Sequence, residues 1–152
     1  MNIAVFSDKF SGTLSAIEVL DIVKNKFVES KVNADYFSIT DGGQESTEIF
    51  KSYDFKIHDS FETFNCDNSL SIVESVDING NIFFESAQII SINTNKKAMS
   101  INSGCLSEVI EKTETLGTGG SKTVDFGIGL LSKLGMEFIS NGEVINNPIP
   151  EN

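Results

Sequence analysis

Residues 116–135 read LGTGGSKTVDFGIGLLSKLG, and the reading of this stretch decides the class of fold. Glycine recurs at 117, 119 and 120, hydroxyl residues follow, and apolar residues then recur with helical spacing as far as Leu134. A glycine-rich turn that hands over to an amphipathic helix, predicted here over residues 124–134, is a building unit of α/β proteins. The same pattern suits an anion site. Glycine lets the backbone approach a ligand with no Cβ in between, and the first amides of a helix lack internal partners and can point at a phosphate. Gly119 and Gly120 would form the cradle, Ser121 and Thr123 would add hydroxyl donors, and Lys122 a positive charge. Asp125, in the first turn of the predicted helix, is of the type that holds Mg²⁺ or takes a proton from an attacking hydroxyl. Two familiar phosphate motifs fail on spacing: Walker A needs Gly directly before Lys, where Ser121 stands, and the dinucleotide fingerprint needs a third Gly where Lys122 stands. A glycine-rich bend with no ligand accounts for the same residues, so both readings stay open.

Upstream, two strand–loop–helix units precede this stretch. Residues 3–6 are a short apolar run, residues 7–13 (SDKFSGT) a polar loop, and Ser15 with Glu18 forms a capping box before Ile17, Leu20, Val23 and Phe27 recur on one helix face. Ligands of open α/β sheets bind at the carboxyl ends of strands, which singles out Asp8 and Lys9. Residues 35–39 read as a second strand that ends in Thr40-Asp41-Gly42-Gly43, with a short helix over 44–53 behind it. Asp41 thus stands at a second strand-to-helix junction, although Asp-Gly is also an ordinary turn dipeptide. A third strand is predicted at 55–60 and a hairpin at 69–85 around Asn79-Gly80, a type I′ signal. Glu85 ends its return strand, where it is a candidate carboxylate or a solvated edge residue. Residues 93–102 read as a loop and 104–112 as a short helix, which leaves few residues for a strand before Gly117. Asn141-Gly142 marks a second hairpin.

The sequence has 152 residues, a length that suits one domain with a real core, residues 1–152. Its 22 acidic residues against 11 basic ones give a net charge of −11, which disfavours binding to nucleic acid or an anionic membrane. Every basic residue is Lys, so no guanidinium fork is available and any carboxylate or phosphate must be met by an ammonium. Cys66 and Cys105 show no metal-ligand or framework spacing, and free thiols in a reducing cytoplasm are expected. The N-terminus does not read as a signal peptide, and no apolar run approaches the roughly 18 residues of a membrane span. His58 is the single histidine, and no Ser/His/Asp or Cys/His set can be assembled around it.

Four pieces stand in order: SDKFSGTLSA (7–16), TDGGQES (40–46), the hairpin ending in FESA (84–87), and GTGGSKTVDFGIG (117–129). Together they resemble the glycerate kinase family of the bacterial type. The family's first pattern, Asp-x-Phe-Lys-Gly-Ser/Thr-Leu-Ser-Ala, is met by Asp8, Phe10, Gly12, Thr13, Leu14, Ser15 and Ala16, with Ser11 in place of Lys. Its second, Ala-Asp-Gly-Gly-Glu-Gly-Thr, is met by Asp41, Gly42 and Gly43, with Gln44 in place of Glu. Its third, Gly-Gly-Ser-Ala-Thr-Asn-Asp-Gly-Gly-Ala-Gly, is met by Gly119, Gly120, Ser121, Thr123, Asp125, Gly127 and Gly129, with Val124 in place of Asn and Phe126 in place of Gly. Glu85 falls on the Glu of a Glu-x-Ala step.

The expected fold is a three-layer α/β domain with a largely parallel sheet and a small antiparallel hairpin at 69–85. The resemblance implies ATP- and Mg²⁺-dependent phosphorylation of glycerate, a small-molecule substrate. Asp41 and Asp125 would divide the roles of base and metal ligand, with Glu85 as a further ligand, while Asp8, Lys9, Gly42, Gly43, Gly119, Gly120, Ser121 and Thr123 would bind substrate and phosphate. Such kinases run to well over twice this length, so only their N-terminal part is resembled. The departures from the family patterns set the alternative: a non-catalytic kinase-like module that binds a small anion or a partner protein.

Overall fold

The structure is a computed structural model in which residues 3–145 are described. Strands and helices alternate through the first half: β1 (Ala4–Ser7), α1 (Ala16–Glu29), β2 (Asp35–Ser38) and α2 (Ser46–Ser52). The second half holds β3 (Lys56–Phe64), β4 (Leu70–Ile78), β5 (Asn81–Glu85), α3 (Ser107–Ile110), β6 (Thr115–Gly117), α4 (Ile128–Lys133), β7 (Ile139–Ser140) and β8 (Glu143–Val144).

β1 and β2 pair in parallel, with Phe6 opposite Phe37. The helix between them starts as its sequence dictates: the Ser15 hydroxyl accepts from the Glu18 amide, and the Glu18 carboxylate accepts from the Ser15 amide at 2.8 Å. α1 buries Ala16 and Leu20, and Phe27 meets Tyr36 of β2 edge-on.

The second sheet has the order β3-β4-β5-β6, antiparallel from β3 to β5 and parallel between β5 and β6. Asn79 (φ 54°) and Gly80 (φ 90°) both adopt the left-handed conformation that a type I′ turn requires, and Asn141 (φ 52°) and Gly142 (φ 83°) do the same between β7 and β8. Successive side chains of β5 point to opposite faces. Phe83 meets Phe50 of α2, ring centroids 4.9 Å apart. Phe84 is fully buried on the other side with Val73, Ile89, Ile90, Ile101, Leu106 and Val109. Helix, sheet, and helix-bearing segment give the three layers of an α/β fold.

Three expectations are corrected or extended. The antiparallel part is larger than the hairpin at 69–85, because β3 runs along the whole of β4. The helix predicted over 124–134 begins only at Ile128: Phe126 (φ 55°) and Gly127 (φ 77°) are left-handed, which breaks a right-handed helix. The amides of residues 119–123 are therefore not a helix N-terminus. The cysteines are not free, since Cys66 and Cys105 form a disulfide with Cα atoms 5.4 Å apart. The bend after β3 comes against the 3₁₀ turn Ser103–Leu106, a meeting that a sequence separation of 39 does not advertise. That pairing removes the argument for a reducing compartment. No helix among the described residues is long and apolar enough to cross a membrane.

Candidate functional site

Three of the four sequence pieces converge at the carboxyl ends of β1, β2 and β5. The Lys9 ammonium donates to the Gln44 carbonyl at 2.7 Å, which ties the first loop to the turn after β2. Glu85 is 4% exposed, and its two carboxylate oxygens accept from the amides of Glu45 (3.1 Å) and Thr47 (3.0 Å). The N-cap of α2, Glu45, makes no side-chain cap of its own, so Glu85 supplies the missing acceptor from another element. Burial pushes the Glu85 carboxyl above its ordinary range, against the pull of those amides and of Lys9. The Gly42–Gly43 turn lies backbone to backbone on the fourth piece: a Cβ on Gly43 would come 2.6 Å from the Gly119 carbonyl carbon, and one on Gly120 would come 3.1 Å from the Gln44 amide. These glycines are accounted for by the contact between the two turns.

Between the first loop and the turn after β2 lies a cleft of about 290 Å³ lined by Lys9, Ser11, Thr13, Gln44, Glu45 and Asn93, among others. Lys9 is the cation of that lining. Asp8, whose carboxylate accepts from the Lys9 amide at 2.7 Å, is exposed and begins the same loop. The sequence patterns do not single out Gln44, Glu45 or Asn93 as site residues. Asn93 belongs to a loop without a motif, whereas Glu45 had a signal: it holds the place of a Gly in the second pattern and is left-handed, φ 76°.

The other predicted residues have different partners. Ser121 Oγ donates to the Thr118 carbonyl (2.9 Å), Lys122 Nζ to that of Thr94 (2.6 Å) and Thr123 Oγ1 to that of Ile101 (2.9 Å). The groups proposed to surround an anion at 119–123 thus turn to backbone carbonyls. Asp125 is 1% exposed; one oxygen accepts from Ser103 N (2.7 Å), Ser103 Oγ (2.7 Å) and Gly129 N (3.2 Å), the other from Gly127 N (3.1 Å). Burial opposes its charge, but the Ser103 amide and hydroxyl and the two glycine amides outweigh it and hold the carboxyl below its ordinary range. Asp41 is exposed and accepts from the Gly43 amide at 2.9 Å. Neither Asp41 nor Asp125 lines the cleft.

Among the described residues no group of three or more His, Cys, Asp or Glu side chains gathers to hold a metal ion. Glu85 and Asp125 are buried and already accept from backbone amides, and Asp125 from the Ser103 hydroxyl as well, so these two carboxylates do not present an open set of oxygens to a resident Mg²⁺; Asp41 is the exposed one of the three.

The family model of the "Glycerate kinase family" matches residues 3–149. No individually curated protein matches the chain. A crystal structure named for glycerate kinase 2 from Salmonella typhimurium LT2 aligns with a TM-score of 0.65 at 20% identity, over 95% of this chain and 43% of that one. The likeness at that identity is one of fold, and the chain spans less than half the length of the solved structure's chain. Since the family model extends over nearly all of its residues, the chain belongs to the glycerate kinase family.

Proposed function

We propose that the chain forms the acid-binding side of a glycerate kinase-type phosphotransferase, with glycerate as the acceptor and ATP as the phosphoryl donor. The observation that carries this reading is the cleft in which Lys9 is held by the Gln44 carbonyl at the carboxyl ends of β1 and β2. In a chain without Arg, an ammonium fixed at that edge is the group that meets a carboxylate or phosphate. Phosphoryl transfer asks a protein mainly for positioning and charge neutralisation, which a lysine and polar loop residues supply. Asp41, exposed at the neighbouring turn, is the candidate base. Asp125 and Glu85 act as positioning residues, because their oxygens hold the amides that shape the 103 and 45 turns. The Mg²⁺ dependence implied by the family is assigned to none of the three carboxylates.

One observation favours a second reading, a non-catalytic module that binds a small anion: Ser11 stands in the cleft where the family pattern has Lys. A coupled assay of ADP release with glycerate, ATP and Mg²⁺, run beside calorimetry with phosphoglycerate, separates the two. Turnover lost in Lys9→Ala supports the kinase. Binding that Lys9→Ala abolishes, without turnover until Ser11→Lys restores it, supports the module. Neither binding nor turnover in the unmodified chain would overturn both.

A further inference from the structure

A second cleft, of about 440 Å³, opens where the bend after β3 meets the 3₁₀ turn Ser103–Leu106. The Cys66–Cys105 disulfide is part of its wall, and both cysteines are half-buried, packed on the apolar cluster on one side and facing the cleft on the other. Lys96 and Lys133 line the same space, with Glu108 as the one acidic residue of the described lining. Over the whole chain 22 acids face 11 lysines, so the charge ratio is reversed here. Each cation stands at one cysteine. The Lys96 ammonium donates to the Cys66 carbonyl at 2.8 Å, and the Lys133 stem lies over Gly104, beside Cys105 in the chain, where an added Cβ would come 3.0 Å from the Lys133 Cγ. Neither ammonium makes an ion pair with a described residue. The nearby acids are engaged elsewhere: Glu108 accepts from the Thr63 hydroxyl at 3.2 Å, and Asp67 from the hydroxyl and amide of Ser69. The Asn102 carbonyl oxygen lies 3.5 Å from Cys66 Sγ and 3.4 Å from Cys105 Sγ, an acceptor that a thiol can use once the bond is open.

We propose that this cleft is a thiol–disulfide exchange site that takes a small, carboxylate-bearing thiol. Its volume is that of a small-molecule pocket, and two ammonium groups without ion-pair partners suit a carboxylate next to a sulfur that can be attacked. The incoming thiolate attacks Cys105 Sγ; a new S–S bond forms as the Cys66–Cys105 bond breaks, and the electron pair leaves on Cys66 Sγ. Cys66 is the leaving group because the Lys96 ammonium is fixed at its carbonyl and stabilises the thiolate. A second thiolate then attacks the outer sulfur of the adduct, which releases the small disulfide, and both cysteines take up the protons that the two thiols gave. Two small thiols are oxidised and one protein disulfide is reduced. Opening the bond frees the bend at residues 65–69 from the turn that carries Ser103, whose amide and hydroxyl hold Asp125, so exchange here reaches the fourth sequence piece. The inference stands apart from any turnover at the Lys9 cleft.

The test incubates the oxidised 152-residue chain with N-acetylcysteine or with N-acetylcysteine amide at equal thiolate concentration, quenches in acid and maps the adducts by mass spectrometry. The acid is expected to react about tenfold faster than the amide, with the adduct on Cys105 and the advantage shrinking at high salt. The sign decides the matter, because the net charge of −11 by itself repels an anionic thiol and would favour the amide. Lys96→Gln and Lys133→Gln should each remove most of the advantage, while Lys24→Gln, at an exposed position of α1, should leave it intact. Circular dichroism checks that the variants are folded. Equal rates or a faster amide, an adduct on Cys66, or a rate that does not rise with thiol concentration, as when the bond opens only on unfolding, would each overturn the proposal. So would two free thiols in the chain before any thiol is added.

Discussion

Gly43 and Gly119 touch backbone to backbone: a Cβ built on Gly119 would lie 2.7 Å from the Gly43 Cα, and one on Gly43 would lie 2.6 Å from the Gly119 carbonyl carbon. The two glycine pairs of the sequence are halves of one contact. Alanine at either position meets the backbone of the opposite turn as well as the Asp41 carboxylate, and moving that side chain alone does not make room, so Gly43→Ala and Gly119→Ala must push two turns apart and are each expected to cost about 2 kcal/mol. Urea midpoints measure this, and midpoints equal to that of the parent would show that the turns are not in contact.

Asp125→Ala should cost about 3 kcal/mol or more, because it strips the acceptor from the Ser103, Gly127 and Gly129 amides in a site closed to water. Any turnover should fall in step with the folded fraction. A variant as stable as the parent but inactive would return a chemical role to this residue.

Glu45 and Phe126 hold left-handed backbone positions that an L side chain resists, at φ 76° and 55°. Glycine there relieves the strain, less its larger unfolded-state entropy, for a net gain of about 0.5 kcal/mol at Phe126, which is 96% exposed and loses no packing. Glu45→Gly should gain more, since one of its carboxylate oxygens is buried without a hydrogen-bond partner. Thermal or chemical unfolding that shows an ordinary glycine penalty of about 1 kcal/mol at both sites would contradict this account.

The two buried carboxylates should respond to pH with opposite signs. Glu85 is shifted upward, chiefly by burial, so its contribution is complete below the ordinary value of 4.5 and is lost as pH rises through the higher folded value. Asp125 is shifted downward, so its contribution is present above the ordinary value of 3.8 and is lost as pH falls through the lower folded value. Glu85→Gln should therefore gain on the parent as pH rises from 4.5 toward neutrality, while the deficit of Asp125→Asn narrows only below pH 3.8. Unfolding free energies across that range decide it; parallel pH profiles for both variants would count against the shifts.

Thiol titration in denaturant without reductant should detect no free thiol, and two after reduction. The Cys66–Cys105 bond closes a loop with a sequence separation of 39, and Cys105→Ser should cost about 4 kcal/mol if the loop-entropy account holds. Two reactive thiols before reduction would show that the bond does not form in solution.

What could be read from the sequence alone shares one property: it is settled within a few residues. The Ser15–Glu18 cap closes over three residues, and the Asn79-Gly80 and Asn141-Gly142 turns are set by the left-handed tolerance of adjacent residues. The alternation of apolar runs with helical spacing likewise places α1 between β1 and β2. The family patterns located the loop at Lys9, the turn at Asp41 and the strand end at Glu85, and these do meet. Their roles were decided elsewhere. Asp125 became a fourfold acceptor because Ser103, 22 residues away, folds against it, and Glu85 became the cap of α2 from 40 residues away. Gly119 serves Gly43, and Cys66 found Cys105 across two sheet strands and a loop. Nothing in a carboxylate, a glycine or a thiol specifies which distant amide, backbone or sulfur will come opposite it. That is chosen by how the sheets and their covering segments pack, since only burial against a particular neighbour turns a polar group's capacity to bond into an obligation to do so.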